Sequence, residues 1–206
     1  VRPDCIFHLA AQPIVRRSYR EPVETFEANV MGSIYLLDAL RTLAHPCTVV
    51  MITSDKCYLN TNQIWGYREC DPLGGHDPYS ASKAAAEIAI ASYRDSYFPS
   101  EKIEEHQVHL ASVRAGNVIG GGDWAEDRII PDAVRAVTTG TTLELRSPQA
   151  VRPWQHVIEP LSGYLLLAAK MMRGDCCGTT PLESAWNFGP LPAGTATVLE
   201  IIQEFY

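Results

Sequence analysis

The chain has 206 residues, of which 46% are hydrophobic and 20% charged, and a formal net charge of −7. That is length enough for one sizeable core with an ordinary globular composition, and the acidic balance argues against nonspecific nucleic-acid binding and against attachment to a membrane surface. No apolar run approaches the ~20 residues that cross a bilayer, and no signal-peptide pattern is present, so the expectation is a cytoplasmic protein.

The sequence starts at Val1, two residues before a strand, and stops at Tyr206 inside an apolar, helix-like run over 197–206; it reads as a fragment cut at both ends. Cys5-Ile6-Phe7-His8-Leu9-Ala10 has the apolar continuity of a buried parallel strand, with His8 as a structural residue ending it. Ala10-Ala11-Gln12 follows at the carboxyl end, where open α/β sheets meet ligands. Small side chains there let a ligand approach the backbone, and a plain tight turn explains them equally. Glu21-Pro22 opens a long amphipathic helix with Phe26, Val30, Ile34, Leu37 and Leu40 at helical spacing. Asn29 lies close to that stripe, either as a satisfied buried amide or as a cofactor contact.

Thr48-Val49-Val50-Met51-Ile52-Thr53 is the next buried strand, and it runs into Ser54-Asp55-Lys56-Cys57-Tyr58. Three polar, proton-handling side chains in succession at a strand end are unusual for plain turn chemistry. A loop over 60–76, holding Trp65, Tyr67 and Gly74-Gly75, has the length and composition to fold over a ligand. A helix over 78–97 comes next, ended by Pro99. His109-Leu110-Ala111-Ser112-Val113-Arg114 is a third strand. Gly116-Asn117-Val118-Ile119-Gly120-Gly121-Gly122 lacks the spacing of a dinucleotide fingerprint and reads as a flexible hinge between subdomains. A short helix over 130–138 and short strands at 143–145 and 155–157 follow. Between those strands, Val151-Arg152-Pro153-Trp154 sets a guanidinium where an anion could dock bidentately. Trp154 and His156 are pocket lining or core. A helix over 159–173 and a short strand at 186–189 complete the pattern.

Strand–helix alternation with polar residues at strand ends implies an α/β fold with a doubly wound parallel sheet. One domain is expected over 1–118. A smaller α/β subdomain is expected over 119–206, apart from a segment near 154–173 that returns to the first. The six cysteines (Cys5, Cys47, Cys57, Cys70, Cys176, Cys177) lack paired zinc spacing and read as free thiols, with no metal site.

The helix over 78–97 opens with Asp77-Pro78-Tyr79-Ser80-Ala81-Ser82-Lys83, which sets Tyr79 and Lys83 one turn apart on one face. A phenol, with a reference pKa of about 10, is a poor base at neutral pH, but an ammonium one turn away favours phenolate. Lowering such a pKa by ~3 units needs only ~4 kcal/mol of differential interaction, within reach of two nearby cations. A tyrosine so tuned accepts a proton from a hydroxyl as hydride leaves the same carbon. Packing of the aromatic ring on a lysine stem would give the same spacing.

Five motifs in order, Phe7-His8-Leu9-Ala10-Ala11, Asn29 with Gly32, Thr53-Ser54-Asp55, Tyr79-x-x-x-Lys83 and Arg114-x-x-Asn117, resemble the extended short-chain dehydrogenases that act on nucleotide sugars. The strings Ser-Asp-Lys-Cys-Tyr, Trp-Gly-Tyr-Arg-Glu, Gly-Gly-His-Asp-Pro-Tyr-Ser and Arg-Pro-Trp-Gln-His-Val are similar to the CDP-glucose branch of the dehydratases in that family. The resemblance implies a Rossmann-type core that binds NAD and a smaller substrate-binding subdomain. It also implies that the glycine-rich pyrophosphate loop belongs before Val1, so the core is incomplete and the fragment alone is expected to be inert.

The reaction implied is a 4,6-dehydration of a nucleotide-diphosphate sugar, CDP-glucose, of the kind used in building the deoxysugars of lipopolysaccharide O-antigen. By resemblance Tyr79 is the base at the sugar 4-hydroxyl, Ser54 binds the 4-oxygen, and Lys83 supports Tyr79 and the nicotinamide ribose. Asp55 is the acid for the departing 6-hydroxyl; it must hold its proton, which burial favours and the adjacent Lys56 cation opposes. Many relatives carry Asp-Glu at this pair, with the glutamate taking the C5 proton. Here the second residue is Lys56, which either takes that proton or stabilises the developing enolate. Ala10, Ala11, Gln12 and Asn29 match cofactor-side positions, and Asn117, Arg128 and Arg152 match positions for the substrate diphosphate. The helices near 22–43 and 78–97 match those that relatives pair across a homodimer. A 4-epimerase of the same family, or a non-catalytic sugar-nucleotide binder on the same fold, are the alternatives, and Asp55 separates the first from a dehydratase.

Overall fold

In the computed structural model, which describes residues 2–178, 180–191 and 194–205, apolar runs become strands and the amphipathic stretches between them helices. In chain order these are β1 (Cys5–His8), α1 (Val15–Arg20), α2 (Pro22–Phe26), a π-helical turn (Glu27–Met31), α3 (Gly32–Leu40) and β2 (Cys47–Ile52). A 3-10 turn (Asp55–Cys57), α4 (Pro78–Tyr97), a second 3-10 turn (Ser100–Lys102), α5 (Ile103–His106), β3 (Val108–Ala115) and β4 (Asn117–Ile119) follow. The chain continues through α6 (Ile129–Thr139), β5 (Val151–His156), α7 (Ile158–Met172), β6 (Ala185–Phe188), β7 (Thr195–Thr197) and α8 (Val198–Gln203).

The chain divides into two units, Val1–Ala115 with Ser162–Phe188, and Gly116–Leu161 with Gly189–Tyr206. The division falls at Ala115 rather than at 118, and the returning segment is Ser162–Phe188 rather than 154–173. Strand pairing explains the difference, because β5 pairs with β4 and β7, whereas β6 joins β3.

The first unit is a Rossmann-type sheet of four parallel strands in the order β1-β2-β3-β6. β2 and β3 lie inside it, and their residues are buried almost without interruption, as a parallel sheet covered on both faces demands. Leu37 and Leu40 of α3, Val49 and Met51 of β2, Ile90 of α4, Phe98 just past the end of α4 and Leu110 of β3 form its core. The expected long helix from Pro22 is interrupted by the π-helical turn, and a separate helix, α1, precedes it. Leu37 and Leu40 of its stripe are buried, but Phe26 is exposed.

In the second unit β4, β5 and β7 make a three-stranded sheet, with β4 parallel and β7 antiparallel to β5. The segment read as a hinge therefore contains a strand, β4, and an added Cβ on Gly120 would lie 2.6 Å from Val157. The strand expected at 143–145 does not form, since three alternating residues bury too little to fix a register.

Candidate active site

β2 ends where its last residues lose the ladder, and the chain turns at once. Ser54 caps the 3-10 turn: its Oγ accepts from the Lys56 backbone N–H at 3.2 Å and donates to Asp55 Oδ1 at 3.1 Å. Lys56 Nζ donates to Asp55 Oδ2 at 3.5 Å, and both side chains are partly exposed. Ser54 is buried. The three side chains thus project from one short turn at the carboxyl end of a central strand. The neighbouring Cys57 thiol is no nucleophile, because burial pushes it up to about 12.

That turn packs against α4. The helix starts where the sequence dictates. Asp77 accepts from Ser80 N–H, Ser80 Oγ accepts from Asp77 N–H in return, and Pro78 occupies the first turn, where its missing donor is harmless. Gly75 lets the preceding loop press against this start, since a Cβ there would lie 2.4 Å from the backbone of Ser80 and Ala81. Tyr79, Lys83 and Glu87 follow at four-residue intervals, and all three are buried. The structure therefore brings the Ser54–Lys56 turn and the Tyr79–Lys83 helix together in the first unit.

Lys83 is 5% exposed, and among the described residues its ammonium makes no hydrogen bond or ion pair. Burial pulls its pKa down to about 8, with the Glu87 carboxylate partly opposing the shift. His8, at the end of β1, is held below the usual imidazole range by burial and by the Lys83 charge, and its Nε2 is buried without a partner.

Ala10 is exposed and Ala11 half-buried, so backbone is what this strand end presents. Gln12 and Asn29 face the other way. Asn29 Oδ1 accepts from Gln12 N–H at 2.8 Å, and its Nδ2 donates to the Gln12 carbonyl at 3.2 Å and to Ser82 Oγ at 2.8 Å. The Gln12 side chain is engaged with Thr25 and Ile14. Both side chains are committed to tying the loop after β1 to α4, which leaves them a scaffolding part in any cofactor site. The π-helical turn is what delivers Asn29 to this place.

Sequence reasoning left a buried polar network without a role. Glu87, 2% exposed, accepts from the Thr53 hydroxyl, from Ser112 Oγ at 3.0 Å and from the Arg114 guanidinium at 2.7 Å. Arg114 also donates to Tyr58 Oη at 2.8 Å and to the Glu69 carbonyl at 3.1 Å, and Tyr58 Oη donates to Asn187 Oδ1 at 2.7 Å. Tyr58 stacks on Tyr67 at 5.1 Å, so the loop over 60–76 is pinned to the first unit rather than loose. The available signal was Tyr-x-x-x-Lys-x-x-x-Glu, which continues the Tyr79–Lys83 face by one turn.

Asn117, Arg128 and Arg152 all belong to the second unit. Asn117 on β4 is paired in register with Trp154 on β5, two residues from Arg152, so alternation sets Asn117 and Arg152 on one face. Arg128 precedes α6 and pairs with Asp123 at 3.3 Å. All six cysteines are free. Among the described residues no group of His, Cys, Asp or Glu could hold a metal ion, and no helix is long and apolar enough to cross a membrane.

Residues 1–181 match the family model described as GDP-mannose 4,6 dehydratase. The chain is 48% identical over 203 residues to CDP-glucose 4,6-dehydratase of Salmonella typhimurium, covering 98% of this chain and 55% of that protein. Its fold resembles that of a dTDP-glucose 4,6-dehydratase from Streptomyces venezuelae solved with NAD bound (TM-score 0.78, 24% identity, 98% of this chain and 56% of that one). It also resembles a UDP-glucuronic acid 4-epimerase from Bacillus cereus (TM-score 0.78, 18% identity, 97% and 57%). The chain therefore spans about half the length of the proteins it matches.

Proposed function

We infer the reaction from the premise that this chain belongs to the GDP-mannose 4,6 dehydratase family. We propose that the complete protein is an NAD-dependent hydro-lyase converting CDP-glucose to CDP-4-dehydro-6-deoxyglucose and water. The observation that carries the reading is the packing of the Ser54-Asp55-Lys56 turn against the helix bearing Tyr79 and Lys83.

The residues present fit the cofactor. A buried ammonium without a hydrogen bond, an orphaned imidazole nitrogen and exposed backbone at Ala10 converge at one end of the sheet, and these are the donors and the close approach a nicotinamide ribose uses. NAD, when bound, supplies the acceptor for the C4 hydride and its return to C6. In this reading Tyr79 takes the proton of the 4-hydroxyl, and the Lys83 charge stabilises the phenolate. Ser54 donates to the 4-oxygen as it becomes a carbonyl. Asp55 gives a proton to the departing 6-hydroxyl. Lys56 removes the C5 proton or stabilises the enolate that its loss creates. Asn117, Arg152 and Arg128 supply donors for the diphosphate, Arg152 by bidentate contact.

The identity to a CDP-glucose 4,6-dehydratase supports both the cytosine nucleotide and the dehydration. Fold alone does not separate dehydratase from epimerase, since both kinds of structure match equally well. Exposed Tyr19, Val23, Tyr35 and Ile88 on the first four helices support a homodimer that covers them.

The test incubates the complete protein with NAD and a panel of CDP-, dTDP-, GDP- and UDP-hexoses. A 4-keto-6-deoxy product from CDP-glucose alone is expected. Inversion at C4 without loss of water would replace the reading with the epimerase, and no turnover of any sugar would leave a binding protein. The Asp55→Asn enzyme is expected to oxidise C4 but not eliminate; loss of both steps together would remove Asp55 as the acid.

A further inference from the structure

A carboxylate buried beside a catalytic helix needs an account. Glu87 sits two turns beyond Tyr79 and one beyond Lys83, and it is 2% exposed. Burying an ionised carboxyl is costly unless every lone pair finds a donor. Here three do: the hydroxyls of Thr53 and Ser112 and the guanidinium of Arg114, whose own side chain is 5% exposed.

The three donors come from different places. Ser112 and Arg114 belong to β3, inside the sheet. Thr53 is the last residue before Ser54, just past the end of β2. Its N–H donates to the Val113 carbonyl at 2.9 Å, and its hydroxyl reaches Glu87 while also lying 3.1 Å from that same carbonyl. One carboxylate therefore holds the end of the strand that leads into Ser54 and Asp55, and it does so from the helix that carries Tyr79 and Lys83. Arg114 pairs directly with this carboxylate, and although the Glu87 charge partly opposes the lowering of the Lys83 pKa, what its hydrogen bonds fix is geometry.

We propose that Glu87 is a positioning residue for the reaction: through the Thr53 hydroxyl it registers Ser54 and Asp55 against Tyr79 and Lys83. The proposal rests on the catalytic roles given above to those four residues. Proton and hydride transfer from one carbon require the hydroxyl donor and the phenolate to meet the same oxygen, and a misplacement of about 1 Å costs on the order of a hundredfold in rate. A link that fixes both groups at one point removes that slack.

The test compares two substitutions in the complete protein that each remove one hydrogen bond from the same carboxylate. Thr53→Val keeps the branched shape and cuts the link to the Ser54 end, whereas Ser112→Ala cuts a link within the sheet. With CDP-glucose and NAD, Thr53→Val is expected to lower kcat at least tenfold with KM within twofold, and Thr53→Ser to recover it. Ser112→Ala is expected to keep kcat within twofold, although both variants unfold at lower urea. The pH at which the alkaline limb of kcat falls is expected to stay the same in Thr53→Val. Equal loss of kcat in the two variants would reduce Glu87 to a structural ion pair, and a shifted limb would show that it acts through its charge; either overturns the proposal. Unchanged kcat in Thr53→Val overturns it as well. Should Thr53→Val not fold, Glu87→Asp, which keeps the charge for Arg114 but shortens the arm, carries the same expected kcat loss. Tyr79→Phe separates the two failures, since turnover surviving in that variant would remove the catalytic reading itself.

Discussion

Lys83 shows the conflict between stability and chemistry most directly. Its ammonium is buried, and burial brings its pKa from 10.5 down to about 8, so the folded state holds the charged form at a disadvantage. Below pH 8 both folded and unfolded chains carry the proton, and the folded one bears the full burden, on the order of 3 kcal/mol. Between about pH 8 and 10.5 the folded state releases the proton while the unfolded state keeps it, so this residue's contribution to stability rises with pH across that window. Lys83→Met is therefore expected to unfold at higher urea than the parent at pH 7, with the gap closing toward pH 10, while turnover is lost. Urea titrations at four or five pH values would check it. A gap that does not change with pH, or a less stable variant, would contradict the burial argument. In the proposed reaction the same buried charge is assigned to the Tyr79 phenolate one turn away.

At the scale of elements, the start of α4 is set by contact as much as by its cap. Gly75 lies against the backbone of Ser80 and Ala81 with room for no Cβ, whereas a Cβ on Gly74 would come no nearer than 3.3 Å to Leu59 and one on Gly66 would meet nothing within 4 Å. Gly75→Ala is thus expected to cost about 1–3 kcal/mol, as overpacking does, and to lower kcat by displacing the turn that carries Tyr79. Gly66→Ala is expected to leave thermal unfolding within 1 °C, with Gly74→Ala between them; a reversed order in calorimetry would refute the contact account. The bounds of α4 were legible in the sequence because Asp77, Pro78 and Pro99 are local signals. β2 and β3 were legible as uninterrupted apolar runs, buried on both faces. The polar network was not, because Glu87 meets Arg114 only after α4 packs on β3, and Tyr58 meets Asn187 across 129 positions of chain. The inward turn of Gln12 and Asn29 was hidden for the same reason: their mutual bonds span 17 positions and depend on a π-helical turn that no residue pattern announces. β4 escaped, and of β5 only the end near 155–157 was legible, because their pairing is set by distant partners, while Gly120-Gly121-Gly122 imitates a hinge.

For the molecule as a whole, the first unit exposes large apolar side chains on the helices that pack around α4. Tyr19 is 66% exposed, Val23 69%, Tyr35 67% and Ile88 59%, on α1, α2, α3 and α4 in turn. Single exposed apolar residues are ordinary, but four on neighbouring helices are what the proposed homodimer would cover. With a net charge of −7, association through charge would be repulsive between copies, so apolar contact must carry it. The complete protein is accordingly expected to sediment as a dimer, and Val23→Glu combined with Ile88→Glu to shift it toward monomer. Burying two carboxylates without partners in such an interface is expected to raise the dissociation constant at least tenfold, about 1.4 kcal/mol, and in practice by much more. Because Lys83 and Tyr79 are buried while Ile88 is exposed, the monomer is expected to keep its CDP-glucose KM within a few-fold. Sedimentation equilibrium at micromolar concentrations decides the matter. An unchanged dimer in the double variant would place the interface elsewhere, and a parent that sediments as a monomer would leave these four side chains without a partner.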